Sequence, residues 1–383
     1  MKNALLGVLC AASVALFSGH ARAQETDKVE ASSAVYVRTD TDETTVITPR
    51  LELGAPLSEE TRLDLTYSVD VWTSASIDIR TSASIGVDSE TPQKVTEQRD
   101  EIDVALTHAL SDVTLGGSYR YSVEHDYESH GGSFGGGYDF ADNSANISLS
   151  VRAYFDTVGR AGAPDFEEKS TLYSARVAFT QVIDAQTVAN LVYEVGLQQG
   201  YLSSPYRFVR FAKPDSVPQS TCVAPITLCL PETNPDSRMR HAFALSARRA
   251  LTDEISIGAN YRFYLDSWDM TSHTIGIDGA LVPAETWLFS LGYRFYMQSS
   301  ASHFKPFYTT MPFPETYTSD KELSDLSSHR LELEVMKSFE LDELGSELAA
   351  VLLVAPSHFI YNEFLLLDSI SALEVTLALE VSL

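Results

Sequence analysis

The end of the chain carries the pattern that most restricts its fold. From Ser371 to Leu383 apolar and polar residues alternate without a break, which makes a strand with one apolar and one polar face. About a dozen other stretches alternate in the same way. The connections between them are alternately short polar turns and longer loops. No amphipathic helices or βαβ units intervene. This repetition is typical of a transmembrane β-barrel.

The first residues predict export. Lys2, an apolar run over residues 4–17 and the triplet Ala21-Arg22-Ala23 form the three parts of a secretory signal peptide. We therefore expect residues 1–23 to be a cleaved signal and residues 24–383 to form a single barrel domain. Cys10 could indicate lipidation, but Leu9 before it is larger than the small residue that such a site requires.

The alternating segments predict an all-β fold, an antiparallel up-and-down barrel of about sixteen strands, with a range of twelve to sixteen. Every second connection is short and both termini lie on the short-turn side. This arrangement is typical of the outer membrane of a Gram-negative bacterium, with short periplasmic turns and longer external loops. The predicted strands are 34–40, 43–54, 61–74, 101–110, 113–127, a Gly-rich stretch ending at 140, 145–156, 171–183, 188–201, 239–250, 255–268, 271–282, 287–298, 328–339, 347–354 and 371–383.

The charge balance is strongly acidic, with 27 basic and 53 acidic residues. Nucleic acid is therefore excluded as a partner, because its phosphates require a basic surface. Much of the acidic excess lies in turns and loops, where it favours solubility. The same excess could instead concentrate cations at the mouth of a pore, so we expect a conducting barrel to prefer cations.

Two central stretches resemble a known family. They are residues 200–207, with Pro235, Arg238, Arg240 and His241 after them, and residues 261–274, which read Tyr-Arg-Phe-Tyr-Leu-Asp-Ser-Trp-Asp-Met-Thr-Ser-His-Thr. In these motifs the chain resembles the outer-membrane barrel family numbered 3570 among the domains of unknown function. The resemblance implies a barrel in the outer membrane and no assigned catalytic residues.

Catalytic and metal sites have weak signals. Pairs such as Ser129-His130 and Ser272-His273 are adjacent, so on an extended strand they point to opposite faces and cannot act together as nucleophile and base. We therefore expect no enzyme and no cofactor. His125, Asp126, His130 and His273 are weak candidates for a surface cation site, although their spacing matches no fixed ligand pattern.

Cys222 and Cys229 are the two cysteines that remain after signal removal, and both fall in the long Pro-rich stretch 202–237. Export through an oxidising compartment favours a disulfide between them. Free thiols are the alternative, and the spacing does not fit a redox motif.

Three strands share a phrase with a central arginine flanked by aromatic residues, at Arg120, Arg262 and Arg294. The flanking aromatic residues belong to the apolar face, so the arginines face the lumen, because an arginine facing lipid near mid-bilayer costs about 2 to 4 kcal/mol. The same alternation places further charged residues on the lumen face: Arg152, Arg330, Asp64, Asp70, Asp103, Glu194 and Glu332. They form either a salt-bridged network that holds the barrel's shape or a constriction that binds an anionic solute.

The sequence thus predicts a porin-like channel or binding scaffold for small polar or cationic solutes. The alternative is a non-conducting barrel with a salt-bridged lumen that docks a periplasmic or surface partner. Outer-membrane lipid and the barrel insertion machinery are the expected partners in either case, and the oligomeric state is left open.

Overall fold

Sixteen antiparallel strands close into one barrel. The computed structural model describes residues 28–74, 95–212, 227–309, 313–341, 346–364 and 367–383. Around the ring each strand pairs with its neighbours along the chain, and the first pairs with the last. The barrel strands are β1 (Glu30–Asp40), β2 (Thr44–Pro56), β3 (Thr61–Ser74), β4 (Val95–Leu110), β5 (Val113–Val123), β6 (Tyr127–Phe140), β7 (Ala145–Val158), β8 (Glu168–Asp184), β9 (Thr187–Gly200), β12 (Ser237–Ala250), β13 (Ile255–Asp266), β14 (Thr271–Ala284), β15 (Trp287–Gln298), β17 (Leu326–Leu341), β18 (Ser346–Tyr361) and β19 (Ser369–Ser382). The predicted fold class and strand number are confirmed.

Strand alternation gives the wall two chemically different faces. Large apolar side chains cover the outward face and are left exposed, with Leu291 at 62% and Leu377 at 58%. The polar residues of the same strands face inward. In a membrane the exposed apolar face contacts lipid, which explains why so many large apolar residues stay uncovered.

The connections differ at the two ends of the barrel. At the end that holds both termini the described turns are short, as in residues 111–112, 185–186 and 285–286. At the other end lie the long excursions 201–236 and 299–325. The predicted asymmetry of turns and loops is confirmed by these segments. Residues 75–94, which contain most of another predicted loop, and the predicted signal peptide lie outside the described residues.

Several predicted strand boundaries are wrong. The fifth strand ends at Val123 rather than residue 127, and the eleventh ends at Asp266 rather than residue 268. The fifteenth was expected to stop at Val354 but continues to Tyr361, past Pro356. The β17–β18 pairing lapses between Arg330–Ser357 and Leu333–Val354, so the N–H that Pro356 lacks falls where the ladder has a gap.

In the Gly-rich strand β6, a glycine allows a side chain from the neighbouring strand to lie close against the backbone. A Cβ at Gly131 would meet the Tyr154 ring at 2.0 Å. Gly131 stands opposite both Tyr154 and Arg120, whose guanidinium carbon lies 5.8 Å from the centre of that ring. The glycine therefore makes room for an inward-facing ring beneath an inward-facing arginine.

Three short strands form a second sheet at the long-loop end. They are β10 (Phe208–Ala212), β11 (Thr227–Pro231) and β16 (Tyr308–Thr309), in the order β11-β10-β16. Val209, Phe211 and Tyr308 form its buried core. This sheet was not predicted. Among the described residues no helix combines the length and apolarity needed to cross a membrane.

The two faces of β19 allow a matched test of the barrel's orientation. Leu377→Arg places a cation on the lipid face and should reduce the free energy of unfolding by about 2 to 4 kcal/mol. Thr376→Arg, one residue away and facing inward, should cost less than about 1 kcal/mol, the size of an ordinary surface change. Urea unfolding in lipid vesicles measures both, with the anomalous migration of unheated barrel in SDS as the marker of the folded state. Equal losses in the two variants would contradict the assignment of the faces.

Candidate functional site

The pairing registers place the predicted lumen residues on one face of the wall. Residues directly opposite one another on paired strands share a face. Arg294 stands opposite Arg330, and Glu332, two residues further along the strand of Arg330, faces the same way. Arg120 stands opposite Asp103. The remaining predicted residues follow the same inward alternation: Arg152 on β7, Glu194 on β9, Arg262 on β13, and Asp64 and Asp70 on β3.

Several of these residues form ion pairs within the wall. Arg330 binds Glu374 on β19 and lies 3.3 Å from Glu332. Arg120 binds Glu101, and Asp70 accepts a hydrogen bond from the Thr48 hydroxyl at 2.6 Å. This part of the lumen is a network in which the charges partner one another.

A second group of arginines has different surroundings. Arg152, Arg240 and Arg262 line a cavity of about 610 Å³ inside the barrel. Arg240 donates to the Gln198 side chain at 2.6 Å, and the Arg262 guanidinium lies 5.6 Å from the centre of the Tyr264 ring. Within the described ranges none of the three forms an ion pair with a carboxylate. Sequence reasoning assigned Arg152 and Arg262 to the lumen but saw Arg240 only as part of a family motif.

The lumen charges are unevenly distributed around the barrel. The cavity arginines Arg152, Arg240 and Arg262, together with Arg176, lie on β7, β12, β13 and β8, which surround β9 in the ring. The opposite wall, around β1, carries the carboxylates Asp70, Asp103, Glu332, Glu334, Glu374 and Glu380. A solute in the lumen therefore meets mainly cationic groups on one side, where Glu194 on β9 is the exception, and mainly acidic groups on the other.

Two loops reach across the long-loop end of the barrel. We call the described parts of residues 201–236 and 299–325 the cap. The cap's own two loops are joined by Arg207 and Asp320, at 2.6 Å. Its contacts with the rim lie on distant strands: Lys321 binds Asp42 in the β1–β2 turn at 3.1 Å, and the Tyr206 hydroxyl binds Asp126 in the β5–β6 turn.

The cap also descends into the lumen. Ala301, Phe304 and Leu323 pack in a buried cluster against the inward-facing rings of Tyr264 and Tyr296. Asp320, Glu322 and Leu323 contribute to the lining of the arginine cavity. The cavity is therefore built jointly by the barrel wall and the cap. Sequence reasoning missed these residues because they belong to a stretch without alternation.

A buried carboxylate connects the two halves of the cap. Glu232 accepts hydrogen bonds from the Ser204 backbone N–H at 2.8 Å and from the Thr318 hydroxyl at 2.5 Å. Burial raises the pKa of Glu232 above its usual range, against the opposing effect of Arg207, 3.6 Å away. Burial lowers the pKa of His303, elsewhere in the cap.

The predicted disulfide falls partly outside the described residues. Cys229 lies on β11 opposite Arg210, whereas Cys222 is in the stretch 213–226. The pairing of these two cysteines stays a prediction.

The weak metal candidates do not come together. His130 on β6 is bound to Tyr119, and His273 on β14 to Tyr261, far around the ring. Asp126, next to His125 in the β5–β6 turn, binds Tyr206. No group of three or more His, Cys, Asp or Glu side chains in the described part of the chain is arranged to hold a metal ion.

The adjacent serine and histidine residues face opposite ways, as expected. Ser129 faces inward and donates to Asp156 at 2.6 Å, while His130 faces outward. Ser272 and His273 are divided in the same way by β14.

Comparison with known families identifies the chain. The model of a family described as protein of unknown function (DUF3570) matches residues 6–168 and 160–350. The chain belongs to this family. The resemblance seen in the sequence motifs is thereby confirmed. No curated protein matches the chain.

Comparison with solved structures finds outer-membrane proteins that are similar to this chain. A bacterial polysaccharide outer membrane secretin is 9% identical, with a TM-score of 0.53 over 93% of this chain and 99% of that one. A mutant ferric enterobactin receptor from Pseudomonas aeruginosa is 12% identical, with a TM-score of 0.44 over 87% of this chain and 54% of the receptor. The toluene transporter of Pseudomonas putida is 10% identical, with a TM-score of 0.41 over 97% and 93% of the two chains. The likeness to the secretin shows that the fold is one of the outer-membrane barrel type.

Glu232 gives the cap a specific pH dependence. Its folded pKa is raised, so its contribution to cap stability is fully present below the ordinary value of 4.5 and is lost as the pH rises through the raised value. Hydrogen exchange of β10 amides, corrected for intrinsic rates, should show protection falling over this range in the wild type and not in Glu232→Gln.

His303 provides the matched control. Its depressed pKa acts in the opposite sense, with stability lost as the pH falls below about 6.5. His303→Gln should therefore keep the Glu232-dependent loss at rising pH. The same pH profile in the wild type and Glu232→Gln would show that Glu232 is not the titrating group.

Proposed function

We propose that the barrel is a passive outer-membrane channel for small polar solutes that carry an anionic group. The observation that supports this proposal is the cluster of Arg152, Arg240 and Arg262 in the cavity under the cap, where none of the three has a carboxylate partner among the described residues. The lining also contains the carboxylates of Glu194, Asp320 and Glu322, but none of them forms an ion pair with these arginines among the described residues, so a bound anion would supply their counter-charge.

The chemistry of the cavity suits a carboxylate or phosphate. A guanidinium presents parallel N–H donors that match the two oxygens of such a group. Leaving cations partly buried without a counter-charge is unfavourable, and a bound anion offsets this cost. The volume of about 610 Å³ lies within the range of small-molecule sites.

The opposite wall of the lumen favours a second chemical group on the solute. Carboxylates there include Glu334, which is only 7% exposed, and Glu374, which Arg330 binds. A solute with a positive or hydrogen-donating end can interact with this wall while its anionic end lies on the arginines. The expectation of cation preference, which came from total charge, stays a prediction. The arginines of the cavity, by contrast, favour a negatively charged group on the solute that is bound there.

The cap supports the alternative of a non-conducting barrel. Lys321 and Tyr206 join it to turns that lie several strands apart on the rim. If these contacts never open, the lumen is a closed scaffold. Single-channel recording in planar bilayers separates the two functions, since Lys321→Gln with Arg207→Gln should raise the open probability of a capped channel. A channel that conducts neither before nor after these changes would favour the scaffold.

The arginine cluster is tested by Arg240→Gln combined with Arg262→Gln. Succinate is the probe, and its block of the current measures binding in the lumen. Each arginine can make charge-assisted hydrogen bonds worth about 1.5 to 3 kcal/mol, so block should weaken by at least about tenfold. The reversal potential should shift toward cations while the protein stays folded.

Arg248→Gln is the matched control. Arg248 also faces the lumen but binds Asp278 and the Ser256 hydroxyl. Its loss should lower thermal stability and leave succinate block within about twofold, an effect smaller than the roughly tenfold change that 1.4 kcal/mol produces. Unchanged block in the double variant would defeat the proposed anion site, even if the channel conducts.

A further inference from the structure

The outward face carries four histidine–tyrosine pairs that the channel does not use. A histidine on one strand binds a tyrosine hydroxyl on the preceding barrel strand through its Nδ1 atom, at 2.6 to 2.9 Å. The pairs, which we call the His–Tyr belt, are His130–Tyr119, His241–Tyr193, His273–Tyr261 and His329–Tyr293.

All four pairs have the same diagonal geometry. In each, the histidine lies two residues before the residue that stands directly opposite the tyrosine, in the direction of the long-loop end. The opposite residues are Gly132, Phe243, Ile275 and Leu331. The same cross-strand offset therefore occurs four times, in different parts of the ring. This repetition indicates a regular feature of the outer surface.

The belt explains the aromatic residues of the repeated arginine phrase. Where the phrase occurs, its first aromatic residue holds the histidine by a hydrogen bond and its second packs against the ring. Phe263 lies 5.2 Å from the His273 ring and Phe295 lies 5.2 Å from that of His329, measured between ring centres. Tyr121 lies 4.8 Å from His130. The arginine between the two aromatic residues faces the lumen.

At His130 a neighbouring carboxylate determines which ring nitrogen donates. His130 Nε2 lies 3.1 Å from the Glu128 carboxylate, which can only accept, so Nε2 carries a hydrogen and Nδ1 accepts from Tyr119. His241, His273 and His329 have the same bond at Nδ1. For these three, the described residues provide no hydrogen-bond partner at Nε2, so in the tautomer that accepts from tyrosine at Nδ1, as at His130, Nε2 presents an N–H donor on the outward face.

The belt lies at the boundary between lipid tails and headgroups. Trp287 and Phe289 stack at the short-turn end of β15, and Phe295, which stands opposite His329, lies eight residues above Trp287. At about 3.3 Å per residue and a tilt of about 40°, this is about 20 Å, near the top of an apolar band about 25 Å tall. By the rule that long loops are external, this is the outer leaflet.

We propose that the His–Tyr belt binds the phosphate groups of an anionic glycolipid in the outer leaflet. The donors are fixed in direction by the tyrosines, lie at headgroup height and lack acceptors in the protein. A phosphate oxygen is a stronger acceptor than a neutral carbonyl. Total charge cannot supply this attraction, since acidic residues outnumber basic ones by 53 to 27.

The proposal is tested with the full mature barrel in neutral detergent. The probes are diphosphoryl lipid A and the same lipid after removal of its phosphates, and native mass spectrometry measures how much of each is retained. The wild type should retain the phosphorylated lipid at least tenfold more tightly. The combined His241→Phe, His273→Phe and His329→Phe variant, which keeps the aromatic rings, should lose this preference.

His108→Phe is the matched control. His108 is also on the outward face and bonded through Nδ1, to the Thr61 hydroxyl at 2.8 Å, but it lies at the short-turn end. This variant should keep the wild-type preference. Equal retention of the two lipids by the wild type, or an unchanged preference in the triple variant, would overturn the proposal. The wild-type comparison decides even if the triple variant does not fold.

Discussion

A membrane has no water to satisfy a free sheet edge, and the rest of this structure depends on that constraint. The β1–β19 ladder, from Glu30 opposite Ser382 to Asp40 opposite Ala372, removes the edge by joining the two ends of the chain's sheet. Once the sheet is closed, every strand has one face toward lipid and one toward the lumen. A shift of a single residue in register would exchange the two faces, so closure and alternation together determine where each charge lies.

The repeated arginine phrase shows how one short sequence serves both faces. At Arg262 the guanidinium lies in the lumen, while Tyr261 and Phe263 hold His273 on the outside. The cation that lines the cavity and the histidine on the outer face are therefore positioned by the same backbone. The cap adds what the wall lacks, because Leu323 and its neighbours close the cavity from above.

Alternation predicted much of the fold because the period of two is a local property of each strand. It assigned sixteen strands and the inward side of Arg120, Arg262 and Arg294. The sheet of β10, β11 and β16 could not be found in this way. Its strands are short, and the contacts that hold the cap, such as Arg207 with Asp320, join residues far apart in the chain.

The candidate site was only partly accessible from sequence for a related reason. Whether an inward arginine has a partner depends on the register of neighbouring strands and on the loops above. Arg330 and Arg262 occur in similar alternating contexts, yet one binds Glu374 and the other lines the cavity without an ion pair among the described residues. Likewise, the continuation of β18 through Pro356 depends on a gap in the ladder to β17 that the chain of β18 alone does not reveal.

The most direct measurement compares two adjacent positions on β15, residues 293 and 294. Nitroxide labels at each, in a background without the two loop cysteines and in lipid vesicles, report by electron paramagnetic resonance on collisions with oxygen or with a water-soluble nickel chelate. The label at 293 should be relaxed by oxygen, which concentrates in lipid, and the label at 294 by the nickel chelate in the aqueous lumen. The same response at both positions, or the reverse assignment, would contradict a wall with arginines inside and aromatic residues outside.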